Sequence, residues 1–172
     1  MSLISNLKFI VDNNVGKLAK WLRIMGYNAR FFEGSSDSQM VAIALAENRV
    51  ILTRDTQIMR RRLVTSGQLK AILIQSDEPE RQIRQVIDAL KLDCQFQPFS
   101  LCLECNQPLA ERSRELVKDL VPPYVFQTQN QYMECPACHR IYWRGTHWQA
   151  MTKSLKKFIK GAAQENTELR NE

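Results

Sequence analysis

Histidine is scarce in this chain, which has two histidines in 172 residues, His139 and His147. Both lie in the C-terminal half, so the N-terminal half contains no imidazole that could act as a general base. The sequence also lacks a Gly-x-Gly-x-x-Gly motif and a phosphate-binding loop, which argues against a nucleotide cofactor. Any chemistry in the N-terminal half must therefore use other side chains.

Long apolar runs are also absent. No stretch approaches the ~20 apolar residues of a membrane-spanning helix, and the N-terminus lacks the basic-then-apolar pattern of a secretory signal. In that context, the five cysteines indicate metal ligation in a reducing compartment rather than disulfide bonds. We therefore expect a cytoplasmic protein that does not associate with membranes.

Four of the five cysteines form two Cys-x-x-Cys pairs: Cys102 with Cys105, and Cys135 with Cys138. Such a turn directs two thiolates at one tetrahedral ion, and two turns complete a structural zinc site. His139 is an alternative ligand, although four thiolates already close the coordination shell. The fifth cysteine, Cys94, has no partner at ligand spacing and is expected to be a small, partly buried apolar residue.

Before the cysteines, apolar runs alternate with amphipathic segments. Strands are predicted at 7–12, 28–32, 49–53 and 70–75, and helices at 15–25, 36–47, from 54 to about 64, and at 80–90. This alternation predicts an α/β domain with a parallel sheet and flanking helices. The second helix should begin with a capping box and bury four residues: Met40, Val41, Ala44 and Leu45.

Composition divides the chain into three parts. We predict an α/β domain over residues 1–93, a zinc ribbon over 94–151, and a basic helical tail over 152–172 with a disordered end.

Three of the predicted strands lead into aspartates, which are Asp12, Asp55 and Asp77. The carboxyl ends of parallel strands share one edge of the sheet, where ligands bind, so these acids should converge. Asp37 lies in the first turn of a helix that begins at the same edge. Singly, Asp37 could serve the helix dipole and Asp77 a turn, but a cluster of carboxylates needs a cation, and oxygen ligands suit Mg²⁺ or Mn²⁺.

Basic residues near these acids indicate a polyanionic partner. Lys and Arg outnumber Asp and Glu by 24 to 18. Lys17, Lys20 and Arg23 lie on the helix after Asp12, and Arg54 precedes Asp55. We assign these four to holding a phosphate backbone while a bound cation supports phosphodiester hydrolysis. A solvated surface is an equally good interpretation of the basic residues.

Two other chemistries that use an aspartate after the first strand fit less well. A receiver domain would have paired acids after the first strand, whereas Asp12 is followed by Asn13 and Asn14. A dehalogenase-like phosphatase needs Asp-x-Asp at this point, which the sequence lacks.

Six segments together match a known family pattern. They are Phe9–Asp12 (FIVD), Gly16–Tyr27 (GKLAKWLRIMGY), Ile51–Asp55 (ILTRD), Cys102–Leu109 (CLECNQPL), Val121–Pro123 (VPP) and Cys135–Trp148 (CPACHRIYWRGTHW). Over about residues 7–151, the chain resembles the PIN-like ribonuclease domain with a C-terminal zinc ribbon. This family is named after the C-terminal region of the nematode Mut-seven exonuclease.

The resemblance implies a PIN-type fold with a metal-dependent RNA-cleaving centre. The family's acids would fall on Asp12, Asp37 and Asp55, with Asp77 as a fourth. The stretch 13–15 departs from the family's more apolar pattern after the first acid. The expected function is therefore that of a Mg²⁺- or Mn²⁺-dependent endoribonuclease. Its expected partner is RNA, with tRNA or the ribosome as more specific candidates.

Two alternatives stay open, a non-catalytic RNA- or ribosome-binding module of the same fold and a toxin-like component of a protein complex. In the ribbon, residues 142–148 interleave aromatic and basic groups, as a stacking platform for single-stranded RNA would. We expect Tyr142 and Trp143 to pack the ribbon against the first domain, and Arg144 is a candidate RNA contact. The basic helix at 153–160 is either a binding surface or a solvated face.

Overall fold

We obtained a computed structural model that describes residues 6–168, with side chains described through residue 160 except at position 159. The chain forms two compact units, Met1–Asn106 and Gln107–Glu172. The domain limits predicted from the sequence, after residues 93 and 151, stay predictions.

The first unit is built on a four-stranded parallel sheet. Its strands are β1 (Lys8–Val11), β2 (Ala29–Phe31), β3 (Arg49–Thr53) and β4 (Ala71–Leu73), in the order β2-β1-β3-β4. The two central strands, β1 and β3, pair with Ile10 opposite Ile51, and both residues are fully buried. Such continuous apolar runs are typical of a sheet covered on both faces. The predicted α/β class is confirmed.

Helices connect these strands. After a short 3-10 turn at Asn13–Val15 come α1 (Lys17–Met25), α2 (Asp37–Glu47), α3 (Thr56–Met59), α4 (Arg62–Thr65) and α5 (Pro79–Leu90). Helix α1 ends at Gly26, whose φ of 94° suits glycine. Helix α2 begins as predicted, because the Ser36 hydroxyl accepts a hydrogen bond from the Gln39 N–H.

Two local predictions are wrong. Leu45 was expected in the core, but it is 49% exposed, whereas Met40, Val41 and Ala44 are buried. Leu45 lies at the margin of the apolar stripe of α2, beyond Val41, where the sheet no longer covers it. The single arginine-rich helix expected after β3 is two short helices, α3 and α4.

The second unit is a three-stranded antiparallel sheet with three helices. The strands β5 (Ala110–Arg112), β6 (Tyr132–Glu134) and β7 (Ile141–Tyr142) lie in that order, with helices α6 (Arg114–Val117), α7 (Pro123–Thr128) and α8 (Thr146–Glu168). Its apolar core has three buried residues, Val117, Val121 and Tyr132. Trp143 packs against this core, which belongs to its own unit.

Helix α8 continues through Glu168. The disordered end that the sequence predicts would then comprise residues 169–172, which lie outside the described residues. In the part of the chain that the structure describes, no helix is both long and apolar enough to cross a membrane.

Candidate active site and metal centre

Asp12 lies directly after β1, at the carboxyl edge of the sheet, and is 8% exposed. Its carboxylate accepts three hydrogen bonds: from the Asn13 N–H (2.8 Å), the Asn14 side-chain amide (3.3 Å) and the Thr53 hydroxyl (2.7 Å). Its own N–H donates to the Leu52 carbonyl (3.0 Å). The carboxylate is therefore held rigidly at the end of the strand.

Thr53 and Asn14 connect Asp12 to the loop that carries Asp55. The Thr53 hydroxyl donates to Asp12 and accepts from the Asp55 N–H (3.0 Å), so one hydroxyl bridges both acids. Asn14 donates to Asp12 and accepts from the Arg54 N–H (3.2 Å). Neither residue is predicted as a site residue from the sequence, although Thr53 precedes Asp55 by two positions.

Asp55 is half-buried two residues beyond β3, and its carboxylate accepts the Gln57 N–H (2.8 Å) at the start of α3. Asp37 is the half-buried first residue of α2. The first turn of α2 contacts the segment after β3, because the Arg61 guanidinium donates to the Ser38 hydroxyl (3.2 Å). Asp77 is exposed, four residues beyond the end of β4, and Glu78 rather than Asp77 precedes α5.

The donor chemistry of this edge suits a hard cation. A carboxylate has about four acceptor positions. Asp12 uses three of them and Asp55 uses one in the contacts described above. Both acids therefore keep oxygen lone pairs that could bind a metal ion. Among residues 6–168, however, the aspartates do not form a group of three or more closely spaced potential ligands. The four paired cysteines do form such a group.

The basic residues assigned to RNA differ in their surroundings. Lys17, Arg54 and Arg144 are exposed, which is compatible with binding a polyanion. Lys20 is 53% exposed and forms an ion pair with Glu104 (2.8 Å). These four assignments stay predictions.

Arg23 departs from the prediction, because its side chain is buried rather than available to RNA. It is 6% exposed, and its guanidinium donates to the carbonyls of Ala29 (3.0 Å) and Leu103 (2.6 Å). A buried guanidinium needs such partners, and here they come from β2 and from the first Cys-x-x-Cys turn. Arg23 therefore connects helix α1 to that turn.

The four paired cysteines form a cluster. The sulfur atoms of Cys102, Cys105, Cys135 and Cys138 all lie within 4.8 Å of one another. Tetrahedral zinc with Zn–S bonds of about 2.3 Å places its sulfurs about 3.8 Å apart, so a small inward movement of the thiolates would complete the shell. The arrangement fits the predicted zinc site.

Both Cys-x-x-Cys turns have the same backbone geometry. The Asn106 N–H donates to the Cys102 carbonyl and the His139 N–H to the Cys135 carbonyl, each at 2.9 Å. Asn106 and His139 both have positive φ, at 61° and 60°. These matched turns direct each pair of sulfurs to one side, as a metal site requires.

His139 does not join the cysteine cluster. Its Nδ1 lies 3.0 Å from a carboxylate oxygen of Glu134. Arg112 contacts the other carboxylate oxygen. Hydrogen bonds from Arg112 and His139, of which that from Arg112 has the larger effect, hold the pKa of Glu134 below its ordinary value. The alternative of His139 as a zinc ligand is therefore not supported.

The first turn also packs on the sheet of its own unit. The Asn106 side chain accepts from the Ala29 N–H and donates to Asn28, both at 2.9 Å. The same Asn28 oxygen accepts from Arg49 (2.6 Å) at the start of β3. The Cys102–Cys105 turn is thereby joined to β2 and β3 through side chains that the sequence analysis did not select.

Cys94 lies apart from the cluster and is half-buried. Burial raises the pKa of its thiol above the ordinary value for cysteine, and the nearby charge of Asp93 adds to this effect. Because the thiolate is the reactive form, we expect iodoacetamide to modify Cys94 at pH 7.5 several times more slowly than a free cysteine peptide. Mass spectrometry of the zinc-loaded chain measures this rate, with Cys94→Ser as the blank. Faster labelling than the peptide would contradict the assignment of Cys94 as an inert residue.

Comparison with known proteins supports the same conclusion as the motifs. Searches of curated proteins and of solved structures gave no match. The family model described as Mut7-C RNAse domain matches residues 7–155, a range that includes both Cys-x-x-Cys pairs and the four candidate aspartates. The chain belongs to the Mut7-C RNAse domain family.

Proposed function

We propose that this protein is a PIN-type, Mg²⁺- or Mn²⁺-dependent endoribonuclease of the cytoplasm that acts on RNA, with tRNA or the ribosome as candidate partners. The observation that carries the proposal is the hydrogen-bonded connection from Asp12 through Thr53 to the loop of Asp55, at the carboxyl edge of the sheet. In a chain of an RNase family, this is the place where a cation could meet RNA.

In this proposal Asp12, Asp37 and Asp55 hold the cation, with Asp77 nearby. When bound, the cation would activate a water molecule and neutralise the charge that develops on the leaving oxygen. The protein fixes the Asp12 carboxylate through its three hydrogen bonds, which limits reorganisation during the reaction. Lys17 and Arg54, both exposed, would position the phosphate backbone.

The experiment that tests the proposal uses end-labelled linear RNAs, both structured and single-stranded, incubated with zinc-loaded protein and Mn²⁺. We expect internal fragments to appear with Mn²⁺ and not when Mn²⁺ is omitted. Omission is a better control than chelation, because a chelator could also remove zinc. Products that are exclusively mononucleotides would contradict the endonuclease, and tight binding with no cleavage would favour the non-catalytic RNA-binding module.

A second candidate function is a toxin-like subunit of a protein complex. Three exposed apolar residues of the second unit are compatible with it, because Leu116, Leu120 and Tyr124 are 61%, 66% and 74% exposed. Isolated exposed apolar residues are common, and the connection between Asp12 and Asp55 has no role in this alternative. Co-purification of a fixed protein partner from native cells would favour it.

The Thr53 bridge gives a prediction that separates positioning from folding. Replacing Thr53 with valine keeps the shape of the side chain but removes the hydroxyl that joins Asp12 to the Asp55 N–H. We expect Mn²⁺-dependent cleavage to fall about 10- to 100-fold, as is typical when a group that orients a metal ligand is lost. The apparent Mn²⁺ requirement should rise as well.

The matched control is Thr65→Val, which removes an exposed hydroxyl that donates to the Arg62 carbonyl (3.2 Å). Cleavage rates and Mn²⁺ titrations of both variants are compared with the unsubstituted chain. If Thr53→Val cleaves like Thr65→Val, the Thr53 hydroxyl has no part in the reaction.

A further inference from the structure

One face of helix α8 carries a concentration of positive charge that the catalytic proposal does not use. From Cys135 to Gln164 the sequence has no acidic residue and six basic ones: Arg140, Arg144, Lys153, Lys156, Lys157 and Lys160. The last four lie on α8 (Thr146–Glu168). A stretch of this length without acids is unusual in a chain whose charged residues are 24 basic and 18 acidic.

The four lysines of α8 share one side of the helix. At about 100° per residue, positions 153, 156, 157 and 160 fall within an arc of about 100° and extend over about 10 Å along the axis. All four side chains are exposed. We call this set, Lys153, Lys156, Lys157 and Lys160, the lysine face.

The opposite side of α8 is apolar and covered by protein. Leu155 is 3% exposed, and Trp148, Met151 and Phe158 are half-buried. An amphipathic helix that binds a membrane surface inserts its apolar side into the lipid. Because that side of α8 is already packed, the lysine face is left to act through charge alone.

We propose that the lysine face binds the phosphate backbone of RNA and so forms a second RNA contact outside the aspartate edge. Lysines spaced along one side of a helix suit a chain of phosphates, which needs neither apolar contact nor sequence-specific hydrogen bonds. The inference rests on the proposed function in one respect, since membership of an RNase family makes RNA the expected polyanion.

The test is a salt titration of RNA binding. Fluorescence anisotropy measures the affinity of the Asp12→Asn chain, loaded with zinc, for a labelled single-stranded 20-nucleotide RNA without Mg²⁺ or Mn²⁺, and a gel confirms that the RNA stays intact. The same measurement is made after replacing the four lysines of the lysine face with glutamine. Each phosphate contact with single-stranded RNA contributes about 0.7 to the slope of log affinity against log salt.

Loss of four contacts should therefore reduce the slope by up to about 3 and weaken binding at 0.1 M salt at least about tenfold. Glutamine is a good helix former, so α8 should persist, which circular dichroism checks. A second variant with arginine at the same four positions keeps the charge and should bind like the parent chain.

A charge-matched control separates the lysine face from bulk charge. Replacing Lys8, Lys70, Lys91 and Lys118 with glutamine also removes four exposed lysines, so in the Asp12→Asn chain both variants change the formal net charge from +7 to +3. The inference is supported if the lysine-face variant loses slope and the control does not. Equal slopes in the two variants would overturn it.

Two further outcomes identify a different partner. If the lysine-face variant binds RNA normally but no longer binds anionic phospholipid vesicles, α8 is a membrane contact and the inference is wrong. If an acidic protein retained by the parent chain is lost while RNA binding persists, the partner is a protein. Cleavage is a separate readout. A chain that binds RNA through α8 but never cuts it refutes the proposed function alone.

Discussion

Replacing Asp12 with asparagine is expected to lower the rate of Mn²⁺-dependent RNA cleavage about a thousandfold or more and to leave the chain folded. A catalytic cation stabilises the transition state by several kcal/mol, and about 4 kcal/mol corresponds to a thousandfold change in rate. Asp12 is the most buried of the proposed ligands, and three hydrogen bonds fix its carboxylate at the end of β1. Removing its charge should weaken cation binding directly.

The fold should survive because asparagine repeats most of the contacts of Asp12. Its carbonyl oxygen can still accept the Asn13 N–H, and asparagine is a favoured residue at such a cap. The new amide would face two former donors, the Thr53 hydroxyl and the Asn14 amide. The hydroxyl can rotate to accept, so we expect a loss of about 1 kcal/mol in the free energy of unfolding, which thermal melting measures.

The control for this variant is Asp88→Asn, on the exposed side of α5. It removes the same charge away from the sheet edge and should cleave RNA at the rate of the unsubstituted chain. Undiminished cleavage by a zinc-loaded Asp12→Asn preparation would contradict the assignment of the catalytic centre.

The second large effect is expected at the cysteines. Replacing both Cys135 and Cys138 with serine should abolish stoichiometric zinc binding and unfold the second unit. Among the residues that the structure describes, the apolar cluster of that unit has three buried members, Val117, Val121 and Tyr132, a core too small to offset the entropy lost on folding. Structural zinc in small domains contributes about 10 kcal/mol or more, comparable with the whole stability of an ordinary domain.

Zinc content by colorimetric titration and trypsin sensitivity of residues 107–160 measure this effect. The control is Cys94→Ser, which lies outside the cluster and should keep both zinc and protease resistance. A double variant that retains zinc, or that resists trypsin without it, would show that the cluster is not a structural metal site.

Zinc loss should also reach the first unit, because Arg23 joins α1 to the first cysteine turn. Its guanidinium donates to the Leu103 carbonyl, and Asn106 contacts both Ala29 and Asn28. These contacts make the Cys102–Cys105 turn part of the packing of the first unit, whereas the sequence predicts this turn in the zinc ribbon over residues 94–151. The packing of the first unit and the Cys102–Cys105 turn are therefore not energetically independent.

Much of the fold could be predicted because its signals are local. The apolar runs of β1 and β3, the stripe of α1 and the cap at Ser36 each follow from neighbouring residues, and the structure agrees with them. The pairing of the Cys-x-x-Cys turns was equally predictable, since tetrahedral ligation needs two such turns and the chain has two.

The errors arise where the answer depends on distant contacts. Charge alone placed Arg23 on the surface with Lys17 and Lys20, but its acceptors come from β2 and from a turn eighty residues further along the chain. Nothing in the pattern around Arg23 indicates those carbonyls. The predicted burial of Leu45 was wrong for a related reason. The width of the sheet determines how much of the apolar stripe of α2 is covered, and the local sequence does not show that width.

The candidate site likewise contains residues that local patterns predict and residues whose roles depend on distant contacts. Asp12 and Asp55 could be selected because each follows a buried strand, and the sheet topology brings these strands side by side. Thr53 and Asn14 were missed because neither has a periodic or charge signal, and their roles appear when β1 and β3 are adjacent. Asp77 shows the limit of such reasoning, since β4 ends at Leu73 and three residues outside the strand separate it from Asp77.

The measurement that tests the central claim most directly is the Mn²⁺-dependent opening of a circular single-stranded RNA, compared between the zinc-loaded unsubstituted chain and Asp12→Asn. A circle has no ends, so its linearisation requires an internal cut. We predict that the unsubstituted chain linearises the circle when Mn²⁺ is present and that Asp12→Asn, prepared identically, does not. Equal linearisation by both preparations, or none by either across pH and metal concentration, would contradict the proposed active site.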